Sequence, residues 1–490
     1  MLILPQKLNA KPGLLLLLSA AAILNGNAAG LHIGTATVSI TPDQRVALDG
    51  QFNTRISKGV DNPITASAVA IEAREGDRPV DQAILISADL VVFRPPVPPR
   101  LREKLRAKLP EFDPRKLVLT GTHTHTAPVT SETRYLIPKE GVMQPGEYLE
   151  FLTDKLAELA ANAWNQRQPG GVSWALGHAV VGHNRRAVYA DGTAKMYGST
   201  TVPEFRGFEG GADHGLELLY FWNRQNQLVA AGINVDCPAQ EVEGRSTING
   251  DFWHDAREQL RAGLGKDLVV LGWPGAAGDL SPHRLYRKAA EERMLKLRGL
   301  TYTQEIGRRL AREVVEISAL ARREIHADVP FVHRVEDLVL PARKVTEKEV
   351  AEAKAEIEKL RQKGDTTSRT GWYQATLDRY QTQGDAPTFT AEVHVLRIGD
   401  IAIATNPFEL FQDYGVQIKG RSKALQTFVI ELTGGWGRYL PTPRAVAGGG
   451  YSAVVQSGVV GPEGGQALVN RTVELINGLW DKPAETPPKP

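Results

Sequence analysis

The chain has 490 residues, 42% hydrophobic and 23% charged, ordinary globular proportions that exclude a disordered or collagen-like polypeptide. Lys and Arg number 58 against 56 Asp and Glu, and the formal charge of +2 argues against a phosphate-tracking nucleic-acid binder. A single cysteine excludes an intrachain disulfide framework and any Cys-rich zinc module.

The first 29 residues are the most biased stretch. Lys7 and Lys11 precede an apolar run from Leu14 to Leu18 and Ala20 to Leu24, and small residues follow to Ala28 and Ala29. A basic start, a short apolar run and a small-residue exit form the pattern of a secretory signal peptide, here expected to be cleaved near Ala28 or Ala29. The run is shorter than the ~20 residues that span a bilayer, so a retained anchor is the lesser alternative. Export, to a periplasm in a cell with two membranes, is the predicted location.

Further along, 83–88 and 116–120 are short apolar runs ending in small residues, the pattern of buried strands. Leu149, Leu152, Leu156 and Leu159 recur at three- and four-residue steps and predict an amphipathic helix over 147–166. Residues 267–271 and 400–404 read as two more buried strands. Thr346 and Glu349 form a capping box for a charged, solvated helix over 346–363, which Gly364 stops. The tail over 481–490 is rich in Pro, Lys and Glu and is expected to be disordered. Strands alternating with helices predict a single large α/β domain over 30–480, with a mixed β-sheet core flanked by helices and an active site in loops at strand ends.

Four segments carry candidate chemistry. Gly121-Thr122-His123-Thr124-His125-Thr126-Ala127-Pro128 follows a predicted strand. If the extended conformation continues, His123 and His125 point to one side, which suits a zinc site or an acid/base pair; two ordinary loop histidines are the alternative. Gly275-Ala276-Ala277-Gly278-Asp279-Leu280-Ser281-Pro282-His283 follows another strand and could aim Asp279 and Ser281 at a ligand or be a plain turn. It is not a phosphate loop, and the chain has no Gly-x-Ser-x-Gly nucleophile elbow. Asn234-Val235-Asp236-Cys237-Pro238 holds the sole cysteine, a metal ligand or reactive thiol on one reading and a buried small residue on the other. Asn406-Pro407-Phe408-Glu409 presents a carboxylate at a proline turn, and glycines crowd the loops around Tyr439 and Tyr451.

Together these segments resemble the neutral/alkaline (non-lysosomal) ceramidase family. The matching pieces are Gly34-Thr35-Ala36 with Ile40-Thr41-Pro42, the Thr-His-Thr-His loop, Gly278-Asp279-Leu280-Ser281-Pro282 and Tyr439-Leu440-Pro441-Thr442, in the family's order over residues 33–460. The resemblance implies a zinc-dependent amidohydrolase that splits the N-acyl bond of ceramide, working outside the cell or at a membrane surface on a small-molecule or lipid amide. It implies His123, Glu409 and Tyr439 as zinc ligands, with Cys237 at the place of the family's second zinc histidine. It also implies His125 as the histidine near the reacting carbonyl, Tyr439 as an oxyanion donor and Ser281 as a substrate contact. The family's Asn-Arg motif falls at Asn184-Arg185, expected near the pocket rim, with Arg185 and Arg186 either holding an anionic group or making surface salt bridges. The C-terminal β-sandwich of larger members has no counterpart here, which weakens the case for docking on a lipid surface. The residues leave two rivals open: an exported lyase of acidic polysaccharides using Tyr439, His125 and an arginine, and a non-catalytic binder on a degenerate ceramidase-like fold. Oligomeric state is left open.

Overall fold

Runs apolar at successive positions bury both of their faces, and they form the middle of the protein. In the computed structural model, which describes residues 28–481, Thr65–Glu75, Arg78–Ala88, Leu117–Gly121, Gly215–Asn223 and Leu228–Val235 are strands buried at most positions. Twelve strands make one mixed sheet. Its main path runs Val269–Pro274, Leu228–Val235, Gly215–Asn223, Gln168–His178, Ala28–Ser39, Asp328–Pro341, Thr388–Ile398, Ile401–Thr405 and Gln426–Ile430. A branch from Ala28–Ser39 passes through Thr65–Glu75 and Arg78–Ala88 to Leu117–Gly121. Register is set along long antiparallel pairs, as from Gly30↔Arg74 to Ser39↔Thr65.

Both arms of the sheet contribute to one core. Ile71, Leu85 and Val118 of the branch join Leu271, Trp273, Ile403 and Phe428 of the main path. Helices cover the outer faces: Val97–Lys108 and Pro145–Asn165 over the branch, Phe252–Leu264 and Tyr302–Ala321 over the 215–235 strands, and Gln412–Arg421 and Pro462–Asn477 over the 388–430 strands. The mixed sheet flanked by helices is the architecture the sequence predicts. No helix among the described residues is long and apolar enough to cross a membrane.

Local expectations compare closely. The predicted 147–166 helix runs Pro145–Asn165 and buries all four of its periodic leucines. The charged helix is Glu347–Gln362, with the reciprocal Thr346/Glu349 box in place, Gly364 at φ 63° and only Ala353 and Ile357 buried. The strand expected over 267–271 is shifted to Val269–Pro274, because the turn that returns Leu268 N–H to Gly265 C=O holds Asp267 outside the ladder. Of the expected signal segment, residues 1–27 lie outside the described residues; Ala28 and Ala29 already pair with Pro330 and Val329. The predicted disordered tail also falls outside them, beyond Asp481.

The exits of five strands are tied together, and this builds the site. Glu431 N–H donates to Pro274 C=O (3.0 Å), Gly434 N–H to Leu119 C=O (3.1 Å), and Gly275 N–H to Val235 C=O (2.8 Å). Asn234 Nδ2 donates to Trp273 C=O and Val429 C=O, stitching three neighbouring strands at this end. Ile401–Thr405 and Gln426–Ile430 run parallel, so the loop bearing Glu409 leaves beside the others.

Candidate functional site

The histidine loop starts where Leu117–Gly121 ends. Thr122 Oγ1 donates to Asp89 Oδ1 (3.2 Å), and Asp89 takes two parallel bonds from Arg257 (2.7 and 2.9 Å) in a fully buried pair. Thr124 and Thr126 hydroxyls both donate to Asn249 C=O (2.9 and 2.7 Å). The strand does not continue through the motif as expected: His123 lies at φ 69°, in the left-handed region that non-glycine residues rarely adopt. The two imidazoles still meet, with ring centroids 4.8 Å apart at 68°, because this kink, and not strand alternation, turns them together. Gly50, at φ 98°, seats His125; a Cβ there would lie 2.3 Å from His125 Cγ.

Glu409 and Tyr439 arrive on a second small sheet. Phe408–Leu410 and Arg438–Leu440 pair in parallel with Glu409↔Tyr439 in register, which places the two side chains as neighbours. Glu431 clamps this pair from behind, accepting from Leu410 N–H (2.7 Å) and Ala277 N–H (3.2 Å). Burial pushes the Glu409 carboxyl up, but His123, the donating Tyr439 hydroxyl and Arg185 outweigh it and hold it at about 2. The Tyr439 phenol is driven well above its usual range by burial and by Glu409, while Arg185 pulls it back.

Hydrogen-bond partners identify which ring nitrogens carry protons. His123 Nδ1 lies 2.8 Å from Val91 C=O, which only accepts, so Nδ1 is protonated. His123 Nε2 then faces Glu409 Oε2 at 3.6 Å and His125 Nε2 at 3.3 Å. Gln240 Oε1 accepts from Arg185 Nη1 (2.9 Å), which orients its amide so that Nε2 donates to His125 Nε2 (2.9 Å). The His125 proton therefore sits on Nδ1, 3.2 Å from Glu243 Oε2. Burial lowers the His125 pKa and outweighs Glu243, so the ring is neutral at pH 7. Glu243, held well below the carboxylate range by His125 and His283 in spite of burial, is the anion beneath both histidines.

Arg185 joins the parts. It is buried and donates to Tyr439 Oη (3.3 Å), Tyr197 Oη (3.0 Å), Gly278 C=O (3.0 Å) and Gln240. Neither arginine of the Asn-Arg stretch makes a surface salt bridge: Arg186 is fully buried and pairs with Glu209 (2.7 Å). Ser281 Oγ accepts from Tyr197 Oη (3.2 Å) and His283 N–H (3.1 Å), so it buttresses the Arg185 network from behind. Asp279 is likewise occupied, by Asn184 Nδ2 (2.9 Å) and Gln412 N–H (2.9 Å). Cys237 is not brought to the cluster. Its Sγ meets only Pro238 C=O (3.5 Å), it packs in the apolar group that includes Phe252 and Trp253, and burial keeps its thiol well above the usual range. Gln240, three residues on, is the side chain of this loop that reaches His125.

A cavity of about 290 Å³ opens on this cluster, lined by Glu409, Tyr439, Tyr451, Trp372, Trp436, Phe52 and three arginines, Arg94, Arg134 and Arg438. Sequence reasoning missed Gln240, Glu243, His283 and the cavity arginines. For Gln240 and Glu243 the only local signal was the Pro-Ala-Gln-Glu-Val-Glu run at 238–243, which resembles any polar loop, and His283 closed the Gly275–His283 segment without a role of its own.

Among the described residues, no group of three or more His, Cys, Asp or Glu side chains is placed to share a metal ion. The groups that do meet are His123 Nε2, the Glu409 carboxylate and the Tyr439 phenol. A catalytic zinc takes three protein ligands and keeps one position open. The His123 Nδ1–H bond to a carbonyl is the outer support a ligating imidazole needs. An imidazole nitrogen facing a carboxylate calls for a cation or a proton between them. The donor chemistry of these three residues therefore fits a zinc ion without Cys237.

No family model and no curated protein matches this sequence. Solved structures match its fold. A neutral ceramidase from Pseudomonas aeruginosa superposes with a TM-score of 0.66 at 17% identity, over 92% of this chain and 74% of that one. A ceramidase complexed with C2 gives 0.65 at 16%, over 94% and 77%. The fold is thus ceramidase-like.

Proposed function

We propose that this chain is an exported, zinc-dependent hydrolase that cleaves the N-acyl bond of a small-molecule or lipid amide. The observation that carries the reading is the meeting of His123 with Glu409 and Tyr439, the latter two lining one end of a cavity, with His123 Nε2 3.6 Å from the Glu409 carboxylate. The ceramidase-like fold supports it, and the signal-type segment over 1–29 supports export.

Zinc held by His123, Glu409 and Tyr439 would supply Lewis-acid activation of water and of the scissile carbonyl. The remaining work falls to the chain itself. His125, neutral and backed by Glu243, takes a proton from the attacking water at Nε2 once that lone pair is released from the Gln240 amide that donates to it. It then delivers that proton to the departing nitrogen, which leaves poorly as an anion. Glu243 stabilises the imidazolium formed between these steps. Arg185 holds the Tyr439 oxygen and Gln240 in place, and its fixed charge favours the negative oxygen that develops at the carbonyl.

Purified full-length protein should carry about one zinc per chain and hydrolyse members of a panel of N-acyl amines. Chelation and His123→Ala should each abolish turnover. Full activity after either treatment would remove the metal from the mechanism.

The Arg185–Tyr439 contact and the arginine-lined cavity favour a second reading, a lyase of uronate polymers with Tyr439 as base and His125 as acid. Ultraviolet absorbance from an unsaturated uronate product would support it, and silence on a panel of uronic polymers would dismiss it.

A further inference from the structure

The wall of the cavity around Trp436 has a charge that the amide reaction does not use. Trp436 is surrounded by guanidinium groups: Arg94 at 4.3 Å, Arg438 at 4.9 Å and Arg134 at 5.7 Å from its ring centroid. Among the described residues, Asp49 is the carboxylate that forms ion pairs with them. It pairs with both Arg94 and Arg134, and it also accepts from Gly50 N–H (2.7 Å) and Tyr135 Oη (3.3 Å), so its two oxygens are fully engaged. Arg438 has no carboxylate partner among the described residues, and its one side-chain hydrogen bond goes to Gln456 C=O (3.2 Å). Four of its five N–H donors are left.

A guanidinium stacked on an indole keeps its N–H edge free, and that edge matches a carboxylate in a two-bond fork. Three guanidinium groups against the carboxylates of Asp49 and Glu409 leave one net positive charge in a partly desolvated wall, and an anion that brings its own negative charge stabilises it. Arg438 directly precedes Tyr439, so the charge and the proposed reaction centre lie along one short strand. At about 290 Å³ the cavity is at the small end of ligand sites, too small to enclose a two-chain lipid.

We infer that the cavity takes a compact amide bearing a carboxylate at one end, gripped by Arg438 on its Trp436 stack, with the amide against Glu409 and Tyr439. This rests on the amide-hydrolase reading for the orientation of the substrate, but the anion subsite is tested without turnover.

The test compares two probes of one skeleton on the full-length protein, N-hexanoylglycine and N-hexanoylethanolamine, by calorimetry and tryptophan fluorescence. The carboxylate probe should bind at least about tenfold more tightly, as a charge-assisted bond requires. Arg438→Gln should bring that ratio close to one and Arg438→Lys should retain part of it. Should Arg438→Gln fail to fold, the salt dependence of the wild-type protein replaces it: the carboxylate probe should weaken with added chloride and the neutral probe should not. Equal affinity for the two probes, binding of neither, or a ratio unmoved in Arg438→Gln would overturn the inference. Displacement of the carboxylate probe by an equal concentration of inorganic sulfate would overturn the carboxylate assignment. Preference for the carboxylate without hydrolysis of either probe would refute the hydrolase and leave the subsite standing.

Discussion

Arg257→Met tests how the histidine loop is held. The substitution keeps the side-chain volume close but removes both donors to Asp89, whose side chain is 0% exposed. Asp89 would retain Thr65 N–H (2.9 Å) and the longer hydroxyl contacts of Thr65 (3.3 Å) and Thr122 (3.2 Å). Removing one partner of a buried, bidentate pair leaves an uncompensated charge and costs about 3–5 kcal/mol. Removing both partners costs far less, because the desolvation penalty of each ion is relieved at once. Urea denaturation of wild type, Arg257→Met, Asp89→Asn and the double variant therefore forms a cycle in which the double variant should be more stable than Arg257→Met. The loop should register the change too, since Thr122 donates to the same carboxylate, and kcat/KM should fall with stability. A loss below about 1 kcal/mol for Arg257→Met, or simple additivity in the cycle, would refute the claim that this pair anchors the loop.

Other outcomes follow from single contacts. Gly50→Ala combines a φ of 98° with a Cβ 2.3 Å from His125 Cγ, so roughly 1–2 kcal/mol of strain should accompany a much larger effect, about 100-fold, on kcat/KM. Unchanged turnover would show that His125 is free to move aside. Cys237→Ala should cost about 1 kcal/mol in urea denaturation and leave the zinc content by mass spectrometry as it was, because the thiol packs with apolar side chains. Glu392 pairs with Arg102 (2.5 Å) and His394 (3.1 Å), and against the opposing effect of burial these partners hold its carboxyl at about 2, below its ordinary 4.5. A depressed carboxyl stabilises the folded state above 4.5 and loses that stabilisation as pH falls toward 2, about 3 kcal/mol in all. Burial lowers His333 and His394 as well, which removes stability in the same direction once pH drops below 6.5. Glu392→Gln should flatten the acid limb of a pH series of denaturation midpoints.

Several features were legible in the sequence because their causes are local. Continuous apolar runs have to be buried on both faces, which produced the strand ending at Ala88 and the one from Leu117. The Thr346/Glu349 box and Gly364 acted within a few residues of themselves to bound their helix. The His-x-His segment could be singled out as a candidate site through residue type and its position after a strand. His123 and Glu409 could be nominated in this way, but the distance between them could not.

What tertiary structure decided were the choices between neighbours. Arg185 and Arg186 are adjacent, yet one reaches Tyr439, 254 residues away, and the other Glu209, because successive side chains of an extended segment face opposite ways. Cys237 and Gln240 share a loop, and the turns that return Cys237 N–H to Val235 C=O and Gln240 N–H to Pro238 C=O send the amide to His125 and the thiol into the core. Local patterning determines what a segment becomes, since propensity and burial act along the chain. Which side chain meets which is determined by strand exits packed against one another, an arrangement set by contacts across hundreds of residues.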